Sequence, residues 1–171
     1  MKKTGFIDFR DAGEVKKWVI VDDVVMGGLS GSDIKPEEEG ARFSGAVSLK
    51  NNGGFSSVRR NFPGMNMSGY DGIALTVSGD GRRYGVSLSD RARFTGLYFN
   101  ARFETVNGEK IIIYLSFKDF KPLYYGRPAP DVKPIDLSSV KELSIIISDK
   151  QEGPFTLLIE KIELYRNESL K

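Results

Sequence analysis

Apolar and polar residues alternate along most of the chain, in short runs that turn-forming residues separate. Alternation with a period of two places one face of a strand against a core and the other toward solvent or a second sheet. About ten short strands with this punctuation predict an all-β fold, a two-sheet antiparallel β-sandwich or jelly roll. We expect a single domain over residues 1–171, because no linker or repeat interrupts the pattern. The apolar positions that share one parity within a run are Phe43, Val47 and Leu49; Ile73, Leu75 and Val77; Tyr84, Val86 and Leu88; Phe99, Ala101 and Phe103; Ile113, Leu115 and Phe117; Leu143, Ile145 and Ile147; and Phe155, Leu157 and Ile159.

Irregular features are few in the predicted fold. Asp11 is placed to cap a helical turn within residues 12–18, and a second turn is expected over 116–120. The apolar parity of the last strand changes after Ile159, which predicts a β-bulge near Glu160 and Lys161. The glycine turns over 79–81 and 152–154 predict tight hairpins.

Composition excludes several classes of function. The chain contains no cysteine and no histidine, so disulfides, thiolate nucleophiles, histidine bases and histidine metal ligands are absent. The formal net charge is +2 with both signs interspersed, which argues against a nucleic-acid surface. No apolar run approaches the length of a membrane span, and the N-terminal residues have no apolar core of a secretory signal. We therefore expect a cytoplasmic protein that does not span a membrane.

Two glycine-rich segments, over residues 22–32 and 51–60, are the main candidates for function. Paired glycines allow left-handed backbone and a close approach of another chain or of a ligand. Asp22 and Asp23 precede the first glycine pair, and the favoured interpretation is that one of them accepts hydrogen bonds from the backbone of the turn. A facing acid–base pair with Asp80 or Asp149 is the alternative.

The second segment is the most site-like stretch of the sequence. Asn51 and Asn52 offer amide donors and acceptors that suit sugar hydroxyls or a peptide backbone. Phe55 and Arg59 share one parity, so they could form a binding face with an aromatic platform and a guanidinium fork. The equally weighted alternative is a core Phe55 and a surface Arg59 that pairs with a carboxylate.

Other segments carry weaker signals. Met26, Gly27 and Gly28 could form a backbone nest for an anion, but the lysine and spacing of a phosphate-binding loop are missing. The stretch from Gly79 to Gly85 has only two glycines of a dinucleotide fingerprint and joins two predicted strands. An aromatic platform for carbohydrate is a further possibility that strand packing explains equally well; its members would be Tyr98, Tyr114, Tyr124 and Tyr125.

Five blocks of the sequence, in order, resemble the complex I intermediate-associated protein 30 family. They cover residues 23–30, 52–59, 70–73, 79–84 and 149–155, and the similarity extends from about Trp18 to Ile162. The resemblance implies a galactose-binding-like jelly roll, similar to carbohydrate-binding modules. It also implies a non-catalytic role like that of the mitochondrial members, which resemble chaperones for the assembly of respiratory complex I.

The sequence therefore predicts a binding module, not an enzyme, that holds a protein partner during assembly and needs no cofactor or metal. The alternatives are a carbohydrate-binding module that uses Asn51, Asn52, Arg59 and tyrosines, and a glycan-active enzyme that uses carboxylates alone. We expect the two glycine-rich segments to pack side by side, with Asp23 and Arg59 fixing their geometry. The predicted ligand- or partner-binding residues are Asp22, Asp23, Met26, Gly27, Gly28, Ser30, Asn51, Asn52, Gly53, Gly54, Phe55, Arg59, Arg82, Tyr84 and Gln151.

Overall fold

The described part of the chain forms two antiparallel sheets that pack face to face, as predicted, and they contain thirteen strands. The computed structural model describes residues 1–168, and the side chains of Val25 and Met26 are outside that description. The strands are β1 (Lys2–Asp8), β2 (Trp18–Ile20), β3 (Gly31–Glu37), β4 (Gly40–Val47), β5 (Ser56–Met65), β6 (Gly72–Ser78), β7 (Arg83–Ser89), β8 (Leu97–Glu104), β9 (Lys110–Ser116), β10 (Lys121–Tyr124), β11 (Arg127–Pro128), β12 (Val140–Ile147) and β13 (Gly153–Arg166).

The two sheets have different edges. The six-stranded sheet has the order β3-β4-β13-β6-β9, with β1 beside the second half of β13. The seven-stranded sheet has the order β11-β10-β8-β7-β12-β5-β2. The register of β13 shifts between Ile159 and Lys161, which confirms the predicted bulge. The shift coincides with a change of neighbour, because β4 pairs with β13 up to Ile159 and β1 pairs with it from Lys161.

The two predicted helical turns are present, and each is short and capped by a side chain. The helix α1 (Ala12–Val15) begins where the Asp11 carboxylate accepts a hydrogen bond from the Gly13 amide at 2.8 Å. A 3-10 turn over 117–119 begins at Ser116. Within residues 1–168, no helix has the length and apolar character that crossing a membrane requires.

The core lies between the sheets and takes its side chains from the alternating positions of both inner faces. Phe43 of β4 and Phe155 of β13 meet with ring centroids 5.0 Å apart, and Tyr84 of β7 contacts Phe155 from the opposite sheet. Each large side chain that is fully removed from water stabilises the fold by about 1.5–3 kcal/mol. The largest fully buried side chains are Tyr84, Phe9, Phe43, Met67, Ile73, Leu75, Leu88, Leu143, Ile145, Ile147, Leu157 and Ile159.

Five connections cross from one sheet to the other at one end of the sandwich, which we call the crossover end. They join β2 to β3, β4 to β5, β6 to β7, β8 to β9 and β12 to β13. The predicted hairpins over 79–81 and 152–154 are therefore wrong, because each turn links strands of different sheets. A glycine turn between two alternating runs does not reveal whether the second strand pairs with the first or faces it across the core.

Candidate functional site

The two glycine-rich segments meet at the crossover end around the carboxylate of Asp23, which is fully buried. One carboxylate oxygen, Oδ1, accepts a hydrogen bond from the Ser30 amide at 2.9 Å. The other, Oδ2, accepts from the Ser30 hydroxyl at 2.5 Å, from the Gly54 amide at 2.7 Å and from the Phe55 amide at 3.3 Å. We call Asp23 and these donors the Asp23 hub. It joins the two segments, as expected, with four hydrogen bonds to one carboxylate.

Two glycines make the hub possible. A Cβ added at Gly28 would lie 2.4 Å from Asp23 Cγ, and one added at Gly53 would lie 2.5 Å from Asp23 Oδ2. Gly27 has a φ of 86° and ends the 3-10 turn over 23–26. These glycines are therefore required by close packing and turn geometry inside the protein itself. The predicted role of the Met26 side chain lies outside the described residues.

Asp22 and Asp23 are neighbours with opposite electrostatic behaviour. Burial tends to raise the pKa of Asp23, but its hydrogen bonds outweigh burial and leave the pKa below the usual value. Burial also raises the pKa of Asp22, and there it prevails. Asp22 Oδ1 accepts from the Ser32 hydroxyl at 2.7 Å and, more weakly, from the Ser57 amide at 3.3 Å. Both carboxylates are buried and bonded to groups of the same chain.

In the two glycine-rich segments, polar side chains are buried and aliphatic side chains are exposed, which is the reverse of an ordinary surface loop. Asp23 and Ser30 are buried, whereas their chain neighbours Val24 and Leu29 are 61% and 59% exposed. Leu49 is 37% exposed and follows Ser48, whose amide donates to the Ser30 hydroxyl at 2.8 Å. We call Val24, Leu29 and Leu49 the aliphatic cap. These side chains are exposed apolar surface next to residues that are hydrogen-bonded within the fold.

The exposed amides of the second segment lie beside the aliphatic cap. Asn51 and Asn52 have left-handed backbone, with φ of 55° and 58°, and their side chains face solvent. The 3-10 turn that contains them ends where the Gly53 amide donates to the Lys50 carbonyl at 3.0 Å. Asparagine tolerates the left-handed region better than most residues, so backbone geometry alone accounts for both positions.

A second cluster at the crossover end joins the segments 79–84 and 149–155. The Arg82 guanidinium donates to the carbonyls of Gln151 at 2.7 Å and Glu152 at 3.1 Å. The Gln151 side chain accepts from the Arg83 amide at 3.0 Å and donates to the Arg83 carbonyl at 2.7 Å. The Gln151 side chain therefore bonds both backbone groups of Arg83 in β7, as the backbone of a paired strand does. We call this cluster the Arg82–Gln151 clamp.

The clamp continues into the core through Tyr84. The Tyr84 hydroxyl donates to Asp80 Oδ2 at 3.0 Å, and the same oxygen accepts from the Thr156 amide at 2.9 Å. Burial raises the pKa of Tyr84, so its hydroxyl stays protonated at neutral pH. A hydrogen bond links the clamp to the aliphatic cap, because the Leu49 amide donates to Glu152 Oε2 at 3.3 Å. Arg82, Tyr84 and Gln151 are therefore used mainly within the fold.

Among the described residues, the Arg59 side chain is hydrogen-bonded to neither the Asp23 hub nor the Arg82–Gln151 clamp, so the prediction that it fixes the hub geometry is wrong. It projects from the outer face of the seven-stranded sheet, where Arg59 Nη1 is 3.8 Å from Glu142 Oε1. Its guanidinium also lies 5.2 Å from the ring centroid of Phe94. The reason is parity, because Val58 enters the core and so directs Arg59 outward. The pairing with a carboxylate was one of the two interpretations left open by the sequence.

On the outer face of the seven-stranded sheet around Arg59, small side chains lie between longer ones. We call this surface the polar face. Ser87 of β7 pairs in register with Ser144 of β12, and both are buried between longer neighbours. Asn100 Nδ2 donates to Ser87 Oγ at 2.9 Å. At the crossover end of this face Arg102 Nη2 is 2.9 Å from Asp149 Oδ1.

Exposed aromatic residues stand on the rim of the polar face. Phe94 contacts Tyr125 with ring centroids 5.7 Å apart, and Tyr125 contacts Tyr124 at 4.8 Å. The suggested platform of four tyrosines is not formed as a whole, because Tyr114 projects from the other sheet, whereas Tyr98, half-buried on β8, belongs to the same sheet as Tyr124. Sequence reasoning missed Phe94 and Glu142. The available signal was the outward parity of Glu142 on a strand with Leu143 in the core.

Solved structures with the same fold include carbohydrate-binding modules and a part of an agarase. The family 11 carbohydrate-binding module of a cellulosomal cellulase of Clostridium thermocellum superposes with a TM-score of 0.74 at 13% identity, covering 99% of this chain and 98% of that one. The family 11 module from Clostridium thermocellum in complex with a β-1,3-1,4-mixed-linked tetrasaccharide gives a TM-score of 0.71 at 14% identity, covering 96% and 95%. These likenesses confirm the galactose-binding-like jelly roll.

The sequence comparisons give one relative and, separately, the family. The uncharacterized protein C9E9.15 of Schizosaccharomyces pombe is 28% identical over 163 residues, covering 83% of this chain and 74% of that protein. Residues 7–159 match the family described as complex I intermediate-associated protein 30. The match covers the two glycine-rich segments and the two segments that form the Arg82–Gln151 clamp. It ends at Ile159, the last residue of β13 that pairs with β4. The chain therefore belongs to the complex I intermediate-associated protein 30 family.

Proposed function

We propose that this protein is a non-catalytic binding module whose crossover end holds a protein partner during the assembly of a larger complex. The main support is that the glycine-rich segments expose aliphatic side chains and bury polar ones. Val24, Leu29 and Leu49 face solvent, while Asp23 and Ser30 are buried beneath them. Exposed aliphatic side chains on a fixed backbone lose little conformational entropy on binding, which favours association with an apolar protein surface.

Family membership supports the same proposal. The family description names association with complex I intermediates, so a respiratory-complex assembly intermediate is the partner class that we expect. The burial and internal bonding of Asp22 and Asp23 favour an architectural role for these carboxylates over catalysis. A cytoplasmic location stays a prediction.

The test is affinity capture from a native extract of soluble and membrane proteins, with Leu29→Asp as the variant. We expect the intact chain to recover respiratory-complex subunits and Leu29→Asp to recover at least about tenfold less, a loss of about 1.4 kcal/mol of binding free energy. Val19→Asp is the matched control, since Val19 is an exposed aliphatic residue on β2, opposite Arg59, and is not part of the cap. Equal recovery by Leu29→Asp and the intact chain would contradict binding of the partner at the crossover end.

The polar face favours a second candidate function, the binding of a neutral oligosaccharide. Hydroxyl and amide groups line its floor, exposed aromatic rings stand on its rim, and its two arginines are paired with Glu142 and Asp149. Such a surface offers hydrogen bonds to sugar hydroxyls and an apolar platform to sugar rings. The carbohydrate-binding modules with the same fold support this candidate.

Calorimetric titration with a β-1,3-1,4-linked glucan tetrasaccharide separates the two candidates. If the polar face binds it, Phe94→Ala should abolish measurable heat, while Tyr114→Ala on the other sheet should not change it. Leu29→Asp should leave sugar binding intact and reduce only protein capture. Absence of binding by the intact chain to this ligand and to a wider glycan array would eliminate the second candidate.

A further inference from the structure

One edge strand of the sandwich lacks the protection that the other edges have. Exposed edge strands normally carry charges, proline, bulges or a very short length that discourage pairing with another chain. The other edges follow this rule: β3 contains Pro36 and charged residues, β11 has two residues, β2 has three, and β1 has a register shift and charged ends. In β9 the segment from Ile111 to Leu115 is uncharged, uninterrupted and rich in β-branched residues.

Several apolar side chains of β9 are also exposed or only partly buried. Ile112 and Tyr114 point away from the core and are 47% and 44% exposed. Ile111 and Ile113 point inward but are only partly buried, because no strand flanks them on the open side among the described residues. The one charge, on Lys110, is 2.9 Å from Glu160 Oε2 of the same chain. An apolar pairing edge is therefore left open.

We propose that two copies of this chain associate through β9, as an antiparallel pair with its two-fold axis at Ile113. In this register Ile112 lies opposite Tyr114 of the second copy, and Ile111 lies opposite Leu115 of the second copy. A β-branched residue beside an aromatic one is a favourable cross-strand pair, and the symmetry forms it twice. The backbone groups of both edges are satisfied, and the six-stranded sheets become one continuous sheet.

Charge placement favours a second copy in this orientation. Lys110 lies opposite Ser116 of the second copy, so the two lysines are separated by about 20 Å at a rise of about 3.4 Å per residue. A parallel, in-register pair would bring them to about 5 Å and would not close. Further from the edge, on β13, which is separated from β9 by β6, Glu163 lies 3.8 Å from Lys3 and 3.6 Å from Lys161, so these charges are paired within the chain.

The experiment is sedimentation equilibrium of the intact chain over a range of concentrations. We expect a reversible dimer of twice the 19.0 kDa chain mass. Ile112→Glu and Tyr114→Lys should each raise the dimer dissociation constant at least about tenfold. The double variant should restore the dimer, because the carboxylate introduced at position 112 would then face the ammonium group introduced at position 114 of the second copy. Val19→Glu, on an edge strand of the other sheet, is the matched control and should leave the dissociation constant unchanged.

Several results would overturn this inference, which does not depend on the proposed function. A chain that stays monomeric at every accessible concentration would overturn it. So would a dimer whose dissociation constant is unchanged by both single variants. A double variant as weak as the single ones would overturn the proposed register. If a variant fails to fold by circular dichroism, hydrogen exchange on the intact chain decides. Amides of 110–116 must exchange more slowly as the concentration rises, and concentration-independent exchange contradicts the dimer.

Discussion

The Asp23 hub and the polar face accommodate charge in different ways. At the hub, one fully buried carboxylate is solvated by backbone amides and a hydroxyl, and no cationic side chain among the described residues is bonded to it. On the polar face, Arg59 and Arg102 are partly exposed and are paired with Glu142 and Asp149. The hub carboxylate is therefore a structural element. The polar face keeps charged groups that a ligand can still reach.

The comparison shows that the most recognisable residues of the chain are not the most accessible ones. Gly28, Gly53 and Asp23 are used for close packing between two crossing loops. The groups that remain available to a partner are their less conspicuous neighbours, such as Leu29 at the hub and Phe94 at the polar face. Motif residues locate the candidate site, and exposure identifies which of its side chains a partner could reach.

The sharpest test of the comparison is Asp23→Asn. The amide nitrogen of asparagine cannot accept the hydrogen bonds that Asp23 accepts, so buried donors lose their partner and the free energy of unfolding should fall by about 2–4 kcal/mol. Asp22→Asn is the matched control and should cost less than about 1 kcal/mol, because burial raises the pKa of Asp22 and disfavours its charged form. Urea denaturation at pH 7 measures both. Equal losses would contradict the distinction between the two carboxylates.

The second test is Gly28→Ala. Its Cβ would lie 2.4 Å from Asp23 Cγ, so the hub must shift and unfolding should become easier by about 1–3 kcal/mol. Gly31→Ala is the control, since a Cβ there meets no atom within 4 Å. Thermal denaturation compares the two. If Gly28→Ala kept its stability but lost partner capture, the glycine would instead contact a ligand.

Acid titration provides the third test. The folded-state pKa of Asp23 lies below its unfolded value, so its stabilising contribution is complete above the unfolded pKa of about 3.9 and is lost as the pH falls through the folded pKa. The stability difference between the intact chain and Asp23→Asn should therefore be constant near pH 7 and shrink below about pH 4. Urea titrations from neutral to acid pH measure it. A difference independent of pH would show that the charge of Asp23 is irrelevant.

The smallest effect is expected on the polar face. Arg59→Ala removes a partly exposed ion pair with a separation of 3.8 Å and should change the free energy of unfolding by less than about 1 kcal/mol. The pKa of Glu142, which burial already raises, should rise further once the opposing charge of Arg59 is lost. Carboxyl titration followed by nuclear magnetic resonance measures the shift. A stability loss as large as that of Asp23→Asn would make the polar face a structural region as well.

The sequence predicted the strands well and the connections poorly. Alternation identified the inward positions of both sheets, and the change of parity after Ile159 located the bulge, since both depend on local periodicity. The hairpins predicted at 79–81 and 152–154 failed, because sheet assignment depends on contacts across the core. The candidate site was predicted in part. Asp23 was correctly expected to bond a glycine turn, and Arg59 was wrongly joined to it.

The sequence by itself determined the all-β architecture, the family and the two glycine-rich segments, because periodicity and motif spacing are properties of the linear chain. Only the tertiary structure decided that Asp23 is buried while Leu29 is exposed, and that Arg59 faces Glu142 and Phe94. It alone also left β9 as an open edge. These outcomes depend on which loops cross between the sheets and which strands become neighbours. Such long-range choices minimise the free energy of the whole fold and have no local signature.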